Sequence, residues 1–544
     1  MALAKTIMIQ GTSSHVGKSV LVAALCRIFR RAGLRVAPFK AQNMALNSYV
    51  TADGGEIGRA QAFQAEAAGV DVTVDMNPIL IKPSRDMEAQ VVVLGKPVAN
   101  LSAGEYGRKF ARTEGWRAVT GALERLKGRY DVIVIEGAGS PAEINLKEGD
   151  IVNMRVARQA DAPVLLVADI DRGGALAALV GTLQLLEDDE RERVKGLILN
   201  KFRGDIKLLE PALTFLENYT GKPVLGVIPY IDDLGVDEED SVSLPASAPG
   251  ALPPEAFTGA QVGAAGDRVD IPRDQVEVAV SQVDVAVIRL PRISNFTDFD
   301  PLARMPGVRL RYISRLQDLG RPDVLIIPGT KNTIEDLEYL RQTGLAGAIL
   351  EHAAHGLPVI GICGGYQMLG MEISDPYGME TNRGRVAGLG LLPISTTFEE
   401  EKLTRRVSAR VAGRGPFFEG MEDGRLVGYE IHMGQSRVAG SVSPAFWVEA
   451  GKTSHQDGCV NPEGNVFGTY LHGLFDNDAF RLNLINRVRK QKGLEPLGQD
   501  ATPDLRAARE EAFDRLARIV RENLRMDLLY GIAGISAAPD RPAD

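Results

Sequence analysis

Short apolar runs recur along the chain, and each one is followed by a glycine-containing turn and a stretch with helical spacing. In the first half these runs cover residues 6–10, 131–135, 163–168 and 194–199, and in the second half they cover 283–290, 323–327, 357–360 and 465–471. Strand-like runs that alternate with helical patterns are typical of parallel sheets covered by helices on both faces. The pattern therefore predicts an α/β fold with two doubly wound domains.

The periodic pattern stops between the two halves. An acidic stretch at 232–240 leads into residues 241–274, which are rich in Ala, Pro, Gly and Ser. Such a segment cannot bury enough apolar surface to offset the entropy cost of ordering it. We therefore predict a linker at 236–281 that separates a domain at 1–235 from a second domain at 282–492, followed by a helical C-terminal tail at 493–544.

The first apolar run leads directly into a glycine loop, which begins at Gly11 and ends in Gly17-Lys18-Ser19 before a helical pattern. Backbone N–H groups in such a loop contact phosphates, the lysine adds a positive charge and the serine offers a hydroxyl to Mg²⁺. Five residues separate Gly11 from Gly17, one more than in the common phosphate-binding loop. The segment predicts nucleotide binding, and the alternative is an ordinary glycine-rich turn.

Glu136 ends the apolar run at 131–135 and precedes a glycine turn. An acid at the carboxyl end of a parallel strand is well placed to hold Mg²⁺ against nucleotide phosphates, although a structural carboxylate is the alternative. We expect Ser19, Asp53 and Glu136 to form the metal site. The polar segments 40–48 and 53–61 are either a substrate or metal surface or solvated loops.

A second glycine turn, Gly361-Ile362-Cys363-Gly364-Gly365-Tyr366-Gln367, lies between an apolar run and a helical pattern. A sharp strand-to-helix turn of this kind presents a nucleophile beside the free N–H groups of a helix N-terminus. By this interpretation Cys363 is the nucleophile, and the backbone N–H groups of Gly329 and Gly364 form an oxyanion hole. The alternative is that Cys363 is a small buried residue.

A thiol nucleophile needs a base, and the chain has six histidines. His472 follows the strand-like run at 465–471 and precedes a glycine, so we predict that it is the base. His432, within the segment 428–434, is the competing candidate.

These two motifs resemble two known groups of enzymes. The phosphate loop, with Thr12 and Val16 at matching positions, is similar to that of the dethiobiotin synthetase group. The elbow and the late histidine resemble class I glutamine amidotransferases, and this resemblance makes Gln367 a glutamine-binding residue. Most of that class has a glutamate two residues after the histidine, where this chain has Leu474.

Both the fused layout and the missing glutamate resemble the corrinoid amidotransferases. The segments 41–44, 77–83, 169–174, 200–205 and 429–434 resemble one branch of that family, over about residues 5 to 490. The resemblance implies amidation of the b, d, e and g carboxylates of adenosylcobyrinic acid a,c-diamide, with ATP, Mg²⁺ and glutamine. An acyl phosphate would activate each carboxylate, because oxide is otherwise a poor leaving group.

The resemblance also extends the predicted site residues. The expected ATP-binding residues are Gly11, Thr12, Val16, Gly17, Lys18, Ser19 and Asn200. Arg203 stands where guanine-specific proteins have an aspartate, which favours ATP over GTP. A polyanionic corrinoid predicts polar and basic residues near the loop, for which we name Gln42, Asn43, Lys82, Arg85 and Arg172.

Composition narrows the setting. The chain is 44% hydrophobic and 24% charged with a net charge of −9, which argues against a nucleic-acid partner. Three scattered cysteines do not suggest a disulfide framework or a zinc site. No apolar run reaches about 18 residues, and the first residues pass directly into a strand, so we expect a cytoplasmic enzyme with no membrane partner. The sequence leaves a homo-oligomer open.

Two other functions stay open on the sequence. A related ligase could amidate a different carboxylate, either the a and c positions of cobyrinic acid or a cell-wall precursor. Alternatively, a nucleotide-switched ATPase could carry a degenerate glutaminase domain.

Overall fold

The computed structural model describes residues 3–85, 88–231, 282–381, 383–421, 424–440, 442–451 and 453–536. The predicted linker at 236–281 lies outside the described residues. The chain divides into two compact units, one made of Met1–Glu239 with Arg506–Asp544 and the other of Asp240–Leu505. The C-terminal helical tail is thus mostly part of the first unit.

The first unit is built on a parallel sheet with the strand order β12-β11-β10-β1-β9-β2. A smaller sheet with the order β3-β6-β7-β8 and a β4–β5 hairpin are inserted after β2. The strands are β1 Lys5–Gly11, β2 Val36–Phe39, β3 Gln42–Met44, β4 Ser48–Val50, β5 Glu56–Gly58, β6 Ile79–Arg85, β7 Glu88–Val93, β8 Lys96–Ser102, β9 Val132–Glu136, β10 Val164–Asp169, β11 Val194–Phe202 and β12 Val224–Pro229.

Helices cover both faces of the parallel sheet. They are α1 Lys18–Arg31, α2 Arg59–Ala68, α3 Ala103–Glu105, α4 Trp116–Lys127, α5 Met154–Ala160, α6 Ala175–Leu185, α7 Asp188–Arg193 and α8 Ile206–Thr220. Short 3₁₀ helices cover Val74–Met76 and Ile144–Gly149, and a π-helix covers Tyr106–Gly115.

Alternate residues of the central strands enter two different cores. Ile7 and Ile9 of β1 pack into one apolar cluster, whereas Met8 between them packs into the other. Successive side chains of a strand point to opposite faces, so a sheet buried on both faces has an apolar residue at every position. This is why the strands appear in the sequence as continuous apolar runs.

The second unit is built on a sheet with the order β14-β13-β15-β16-β24-β23, parallel except for the β23–β24 pair. Its strands are β13 Val283–Ile288, β14 Val308–Ile313, β15 Val324–Ile327, β16 Val359–Ile362, β17 Glu372–Ser374, β18 Arg385–Ala387, β19 Ile394–Val411, β20 Arg425–Val438, β21 Phe446–Ala450, β22 Thr453–Asp457, β23 Cys459–Val460 and β24 Val466–Thr469.

The remaining helices are α9 Asp300–Ala303, α10 Thr333–Gln342, α11 Leu345–Ala354, α12 Gly364–Leu369, α13 Asp478–Gln491, α14 Leu505–Glu522 and α15 Met526–Ala533. Short 3₁₀ helices cover Phe296–Phe299, Leu316–Asp318, Leu474–Asp476 and Gln499–Ala501. Within the described ranges, no helix combines the length and the apolar character that a membrane span requires.

The predicted fold class, two α/β domains with parallel sheets, is confirmed. The second unit also contains a sheet with the order β18-β17-β19-β21-β22, and β20 pairs with β19. The sequence did not predict this sheet, because β19 is long and carries several charged residues, so it lacks a continuous apolar run.

Candidate active sites

The phosphate loop of the first unit connects β1 to α1. The backbone N–H of Thr12 donates to the carbonyl of Val167 on β10, at 2.9 Å. The ammonium of Lys18, which is buried, donates to the carbonyl of Ser13 at 3.0 Å and to that of Gly139 at 3.4 Å. The loop therefore curls around the lysine, as a phosphate-binding loop must if the ammonium is to approach bound phosphate.

Asn200, on β11, stabilises this loop through a hydrogen bond. Its side-chain amide donates to the carbonyl of Val16 at 2.8 Å. Gly17 has φ 94°, and a Cβ at this position would lie 2.2 Å from the Asn200 amide nitrogen. Glycine is thus required at position 17 both by its backbone angle and by the contact with Asn200.

Glu136 lies at the centre of a buried polar cluster beside the loop. One carboxylate oxygen accepts a hydrogen bond from Ser19 Oγ at 2.8 Å and contacts Lys40 Nζ at 2.9 Å, and the other accepts from Gln64 Nε2 at 2.5 Å. The Glu136 side chain is 1% exposed. Ser19 and Glu136 are thus together, and their oxygens are of the type that Mg²⁺ prefers beside nucleotide phosphates.

Asp53 is not part of that cluster in the structure. It is exposed in the turn between β4 and β5, where the Thr51 hydroxyl donates to its carboxylate. Over the described ranges, there is no group of three or more His, Cys, Asp or Glu side chains that could hold a metal ion. A metal at Ser19 and Glu136 would therefore need phosphate or water oxygens to complete its coordination.

The sequence missed Lys40 and Gln64. Lys40 directly follows β2, and the C-terminal ends of β2 and β9 lie side by side in the parallel sheet, which brings Lys40 to Glu136. A lysine after a buried strand was the available signal, although its partner depends on the strand order. Gln64 lies within α2, and no pattern in the sequence around it indicates a role at the site.

Two predicted substrate residues hold polar partners within the inserted region. The side-chain oxygen of Gln42 accepts a hydrogen bond from the Tyr106 hydroxyl. Asn43, which is buried, donates to the side-chain oxygen of Gln61 at 3.0 Å.

The three predicted basic residues differ in their surroundings. Lys82 is buried, and its ammonium contacts Glu56 at 2.7 Å and Ser48 at 2.8 Å. Its charge is therefore already balanced within the protein. Arg172 is exposed in the turn after β10, and Arg85 is the last residue of β6.

The cysteine elbow of the second unit has the predicted strand–turn–helix form. Cys363 lies between β16 and α12 with φ 51° and ψ −107°, and its N–H donates to the carbonyl of Thr469 at 2.8 Å. A β-carbon at Gly365 would lie 2.0 Å from the carbonyl oxygen of Ile327 on β15. A positive φ at a non-glycine residue is uncommon and is a known feature of nucleophile elbows.

Backbone groups of Gly364 and Gly329 flank this turn. Gly364 is the first residue of α12, so its N–H has no carbonyl partner within the helix. A β-carbon on Gly364 would lie 3.1 Å from the backbone nitrogen of Thr330, and one on Gly329 would lie 3.2 Å from Cε1 of His472. Gly364 is thus close to the segment that contains Gly329, and Gly329 is close to the histidine.

His472 is oriented by a carboxylate that the sequence did not predict. Its Nδ1 lies 2.6 Å from Oδ2 of Asp298, which belongs to the 3₁₀ helix Phe296–Phe299. The other oxygen of Asp298 accepts from the N–H of Gly473 at 3.2 Å and from the hydroxyl of Tyr429 at 3.4 Å. Both His472 and Asp298 are buried, so this pair is held in a fixed geometry.

The environment of His472 favours its protonated form. Burial by itself lowers the pKa of this histidine, but the charge and hydrogen bond of Asp298, with a smaller contribution from Cys363, raise it to about 10. The described part of the chain offers its Nε2 no partner with ordinary hydrogen-bond geometry. The protonated ring is thus favoured near neutral pH, and its Nε2–H is available as a proton donor.

The competing histidine, His432, has a different environment. Burial lowers its pKa to about 4, and its Nδ1 lies 2.8 Å from the carbonyl of Gly434. Its ring stacks on Tyr470 with the centroids 3.8 Å apart. The geometry therefore favours His472 as the base.

Gln367 lies one helical turn after Cys363, where residues i and i+4 share a face. Its side-chain oxygen accepts from the Thr333 hydroxyl at 2.9 Å, and its nitrogen donates to the Tyr470 hydroxyl at 3.1 Å. Tyr470 in turn lies 2.8 Å from Ser436 Oγ. These hydrogen bonds hold the side-chain amide of Gln367 in place beside the elbow.

Together, the fold and the two sites define a class of protein, a nucleotide-binding P-loop domain joined to a glutamine amidotransferase domain. The CobQ/CobB/MinD/ParA nucleotide binding domain family matches residues 7–243, and the CobB/CobQ-like glutamine amidotransferase domain family matches residues 284–480.

Full-length relatives narrow the class. The chain is 52% identical to a cobyric acid synthase of Desulforamulus reducens, over 98% of this chain and 99% of the relative. It is 53% identical to one of Moorella thermoacetica (98% and 98%) and 52% identical to one of Pelotomaculum thermopropionicum (98% and 97%). The chain belongs to the cobyric acid synthase family and is a glutamine-dependent amidating ligase.

Proposed function

We propose that this protein uses ATP and glutamine to amidate the b, d, e and g carboxylates of adenosylcobyrinic acid a,c-diamide, giving adenosylcobyric acid. The observation that carries the proposal is the buried Cys363, His472 and Asp298 arrangement on the same chain as a complete phosphate loop. The relatives named cobyric acid synthase, matched over nearly the full chain, support the corrinoid as substrate.

In the glutaminase reaction, the thiolate of Cys363 attacks the side-chain carbonyl of glutamine. The N–H groups of Gly364 and Gly329 stabilise the oxyanion. Protonated His472 gives its proton to the leaving nitrogen, so ammonia departs and a glutamyl thioester forms. His472 then takes a proton from water, which attacks the thioester and releases glutamate, while Asp298 holds the ring and stabilises its positive charge.

In the synthetase reaction, a corrinoid carboxylate attacks the γ-phosphorus of ATP, and ADP leaves. Ammonia then attacks the acyl phosphate, the C–O bond to phosphate breaks, and the amide and inorganic phosphate are released. Lys18 and the loop N–H groups balance the charge on the phosphates. Lys40, next to Glu136, adds a positive charge at the same edge of the sheet.

Ser19 and Glu136 would hold Mg²⁺, which would supply positive charge to neutralise the phosphates. The hydrogen bond between these two side chains fits this assignment, because it already brings a hydroxyl and a carboxylate oxygen to within 2.8 Å. Asn200 would place the loop against the nucleotide through Val16.

The two half-reactions can be separated by nitrogen source. We expect Cys363→Ala to abolish amidation driven by glutamine and to leave amidation driven by ammonium salts intact. Lys18→Ala should stop amidation from both sources. If Cys363→Ala retains glutamine-driven activity, Cys363 is not the nucleophile, and normal turnover of Lys18→Ala would contradict activation by the phosphate loop.

The substrate is tested by mass spectrometry of the corrinoid after incubation with ATP, Mg²⁺ and glutamine. The proposal expects successive acid-to-amide mass changes, up to four on adenosylcobyrinic acid a,c-diamide. Amidation of cobyrinic acid at only the a and c positions would identify the related ligase instead. No amidation of any corrinoid would contradict the proposal.

A further inference from the structure

A cavity of about 670 Å³ lies in the first unit, outside the residues assigned so far. Its walls come from the 3₁₀ helix Ile144–Gly149, from α5, from the start of α7 and from Arg112 on the π-helix. The cavity has no role in the reaction steps described above. The charged residues around the cavity and its position near the phosphate loop together indicate a bound ligand.

Most charges around the cavity are balanced within the protein. The ammonium of Lys147 contacts Glu187 at 2.9 Å and Glu190 at 2.8 Å. Arg158 contacts Glu190 at 3.2 Å and Asp189 at 2.8 Å. These contacts join two cations to three carboxylates, so both cations on this side of the cavity are already paired.

Arg155 is different from these cations. Its guanidinium lies over the ring of Trp116, 3.9 Å from the centroid, and among the described residues no carboxylate lies within ion-pair distance of it. The charge of Asp150 acts on Arg155, but the Asp150 carboxylate accepts hydrogen bonds from the N–H groups of Val152 and Asn153 at 2.8 and 3.0 Å. Trp116 thus positions a cation to which the part of the chain described in the structure supplies no direct counter-charge.

The surroundings of Arg155 lower the pKa of its guanidinium. Partial burial lowers the pKa of the guanidinium, and the positive charge of Arg112 lowers it further, with Asp150 opposing both effects. Within the described ranges Arg112 pairs only with Glu148, and both side chains are well exposed, so that pair is weak. An anion in the cavity would relieve the repulsion between the two arginines.

The cavity also has an apolar part. Ile144 is 62% exposed at its edge, and the buried Met154 lies in its wall. A ligand that combines a carboxylate with an apolar body would therefore match the surface better than a small inorganic anion.

The cavity is connected to the phosphate site through Asn153. Its side chain donates to the carbonyl of Ala138 at 2.7 Å and accepts from the N–H of the same residue at 3.1 Å. Lys18 reaches the carbonyl of the next residue, Gly139, at 3.4 Å. Met154 and Arg155 follow Asn153 directly, so the cavity wall begins where the turn after Glu136 is anchored.

We propose that this cavity anchors a side-chain carboxylate of the corrinoid, with Arg155 as its counter-ion and Trp116 as the residue that positions Arg155. The proposal rests on the proposed function. A corrinoid acid carries several carboxylates around one macrocycle, and only one at a time can meet the phosphate. Those that are not reacting stay ionised and need positive charge elsewhere on the protein.

The test measures corrinoid binding to the full-length protein without glutamine. One probe is cobyrinic acid a,c-diamide, and the second is a corrinoid whose side chains are all amides. We expect Arg155→Gln to weaken binding of the acid about 10- to 100-fold, since a charge-assisted contact is lost. Binding of the all-amide corrinoid should stay within about twofold, and Arg155→Lys should restore part of the loss for the acid.

Two further variants complete the design. Arg193→Gln, a variant of an arginine outside the cavity that pairs with Asp161, should bind both corrinoids like the wild type. Arg112→Gln tests the same cavity through an exposed side chain if Arg155→Gln fails to fold, as judged by nucleotide binding. It should weaken binding of the acid several-fold.

Equal affinity of wild type and Arg155→Gln for the acid would overturn the proposal, and so would equal losses for both corrinoids, because these would indicate a packing effect. Unchanged binding by Arg112→Gln would count in the same way. If the wild type binds neither corrinoid, the proposed function itself fails.

Discussion

Asp298 supplies to His472 what a glutamate two residues after the histidine supplies in most class I amidotransferases. That position is Leu474 here, which is buried among apolar residues. The carboxylate instead comes from 174 residues earlier in the chain, and its Oδ2 lies 2.6 Å from Nδ1 of His472. The sequence therefore indicates only Cys363 and His472, and the third residue, Asp298, is found only in the structure.

Replacing Asp298 tests this role. Asp298→Asn removes the negative charge but keeps the shape, so we expect glutamine-driven amidation to fall about 10²- to 10⁴-fold, as when the acid of a catalytic triad is replaced. Ammonia-driven amidation should be unchanged. Asp500→Asn, at an exposed position, is the control and should behave as wild type; equal activity of the two variants would exclude Asp298 from catalysis.

The pH dependence of glutamine hydrolysis tests the electrostatic part of the same contact. The pKa of His472 is raised to about 10, chiefly by Asp298 acting against burial. The protonated ring is therefore present below that pH and is lost as the pH rises through it. We expect activity to fall on the alkaline side near pH 10 in the wild type and at lower pH in Asp298→Asn; identical alkaline limbs would contradict this assignment.

At this scale the sequence predicted residues that lie in distinctive local motifs. The glycine turn predicts Cys363 and the strand end predicts His472, and in the structure the two are near enough for Cys363 to act on the histidine's pKa. Asp298 lies in a short polar segment without such a motif. Its partner is chosen by how the 3₁₀ helix packs, which no local pattern encodes.

At the scale of elements, the elbow depends on how closely α12 approaches β15. A β-carbon at Gly365 would lie 2.0 Å from the carbonyl of Ile327, a distance that real β-carbons do not occupy. Any side chain there must push the helix, and with it Cys363, away from the sheet. Position 365 therefore requires glycine because there is no space for a β-carbon, and not because of its backbone angles.

Gly365→Ala should accordingly abolish glutamine hydrolysis and lower the free energy of unfolding of the second unit by about 1–3 kcal/mol or more. Gly347→Ala is the matched control, because a β-carbon at this position in the first turn of α11 meets nothing within 4 Å. It should be neutral or stabilising by up to about 1 kcal/mol. Urea unfolding and glutaminase assays on both variants check this, and an active, stable Gly365→Ala would refute the close approach.

At the scale of the whole molecule, the C-terminal tail completes the core of the first unit. Phe513 on α14 packs against Phe63, with ring centroids 4.8 Å apart, and joins the apolar cluster that covers one face of the β1 sheet. Buried Arg27 on α1 pairs with Asp514 at 2.6 Å and Glu510 at 2.8 Å. The nucleotide-binding unit is therefore made from both ends of the chain.

Phe513→Ala should destabilise the first unit by about 3–5 kcal/mol, because it removes a fully buried ring. Arg518→Ala changes an exposed residue of the same helix and should change stability by less than about 0.5 kcal/mol. The unfolding of this unit can be measured through the loss of nucleotide binding. Equal stability of the two variants would show that the tail does not contribute to its core.

The sequence by itself determined the features that short segments build alone. The phosphate loop and the cysteine elbow each join one strand to the next helix, so glycine positions and apolar runs specify them locally. The tertiary structure alone decided the partners of these motifs. Asp298 reaches His472, Lys40 reaches Glu136 and α14 covers the β1 sheet because apolar burial, which is non-directional, arranges distant segments without leaving a local signature.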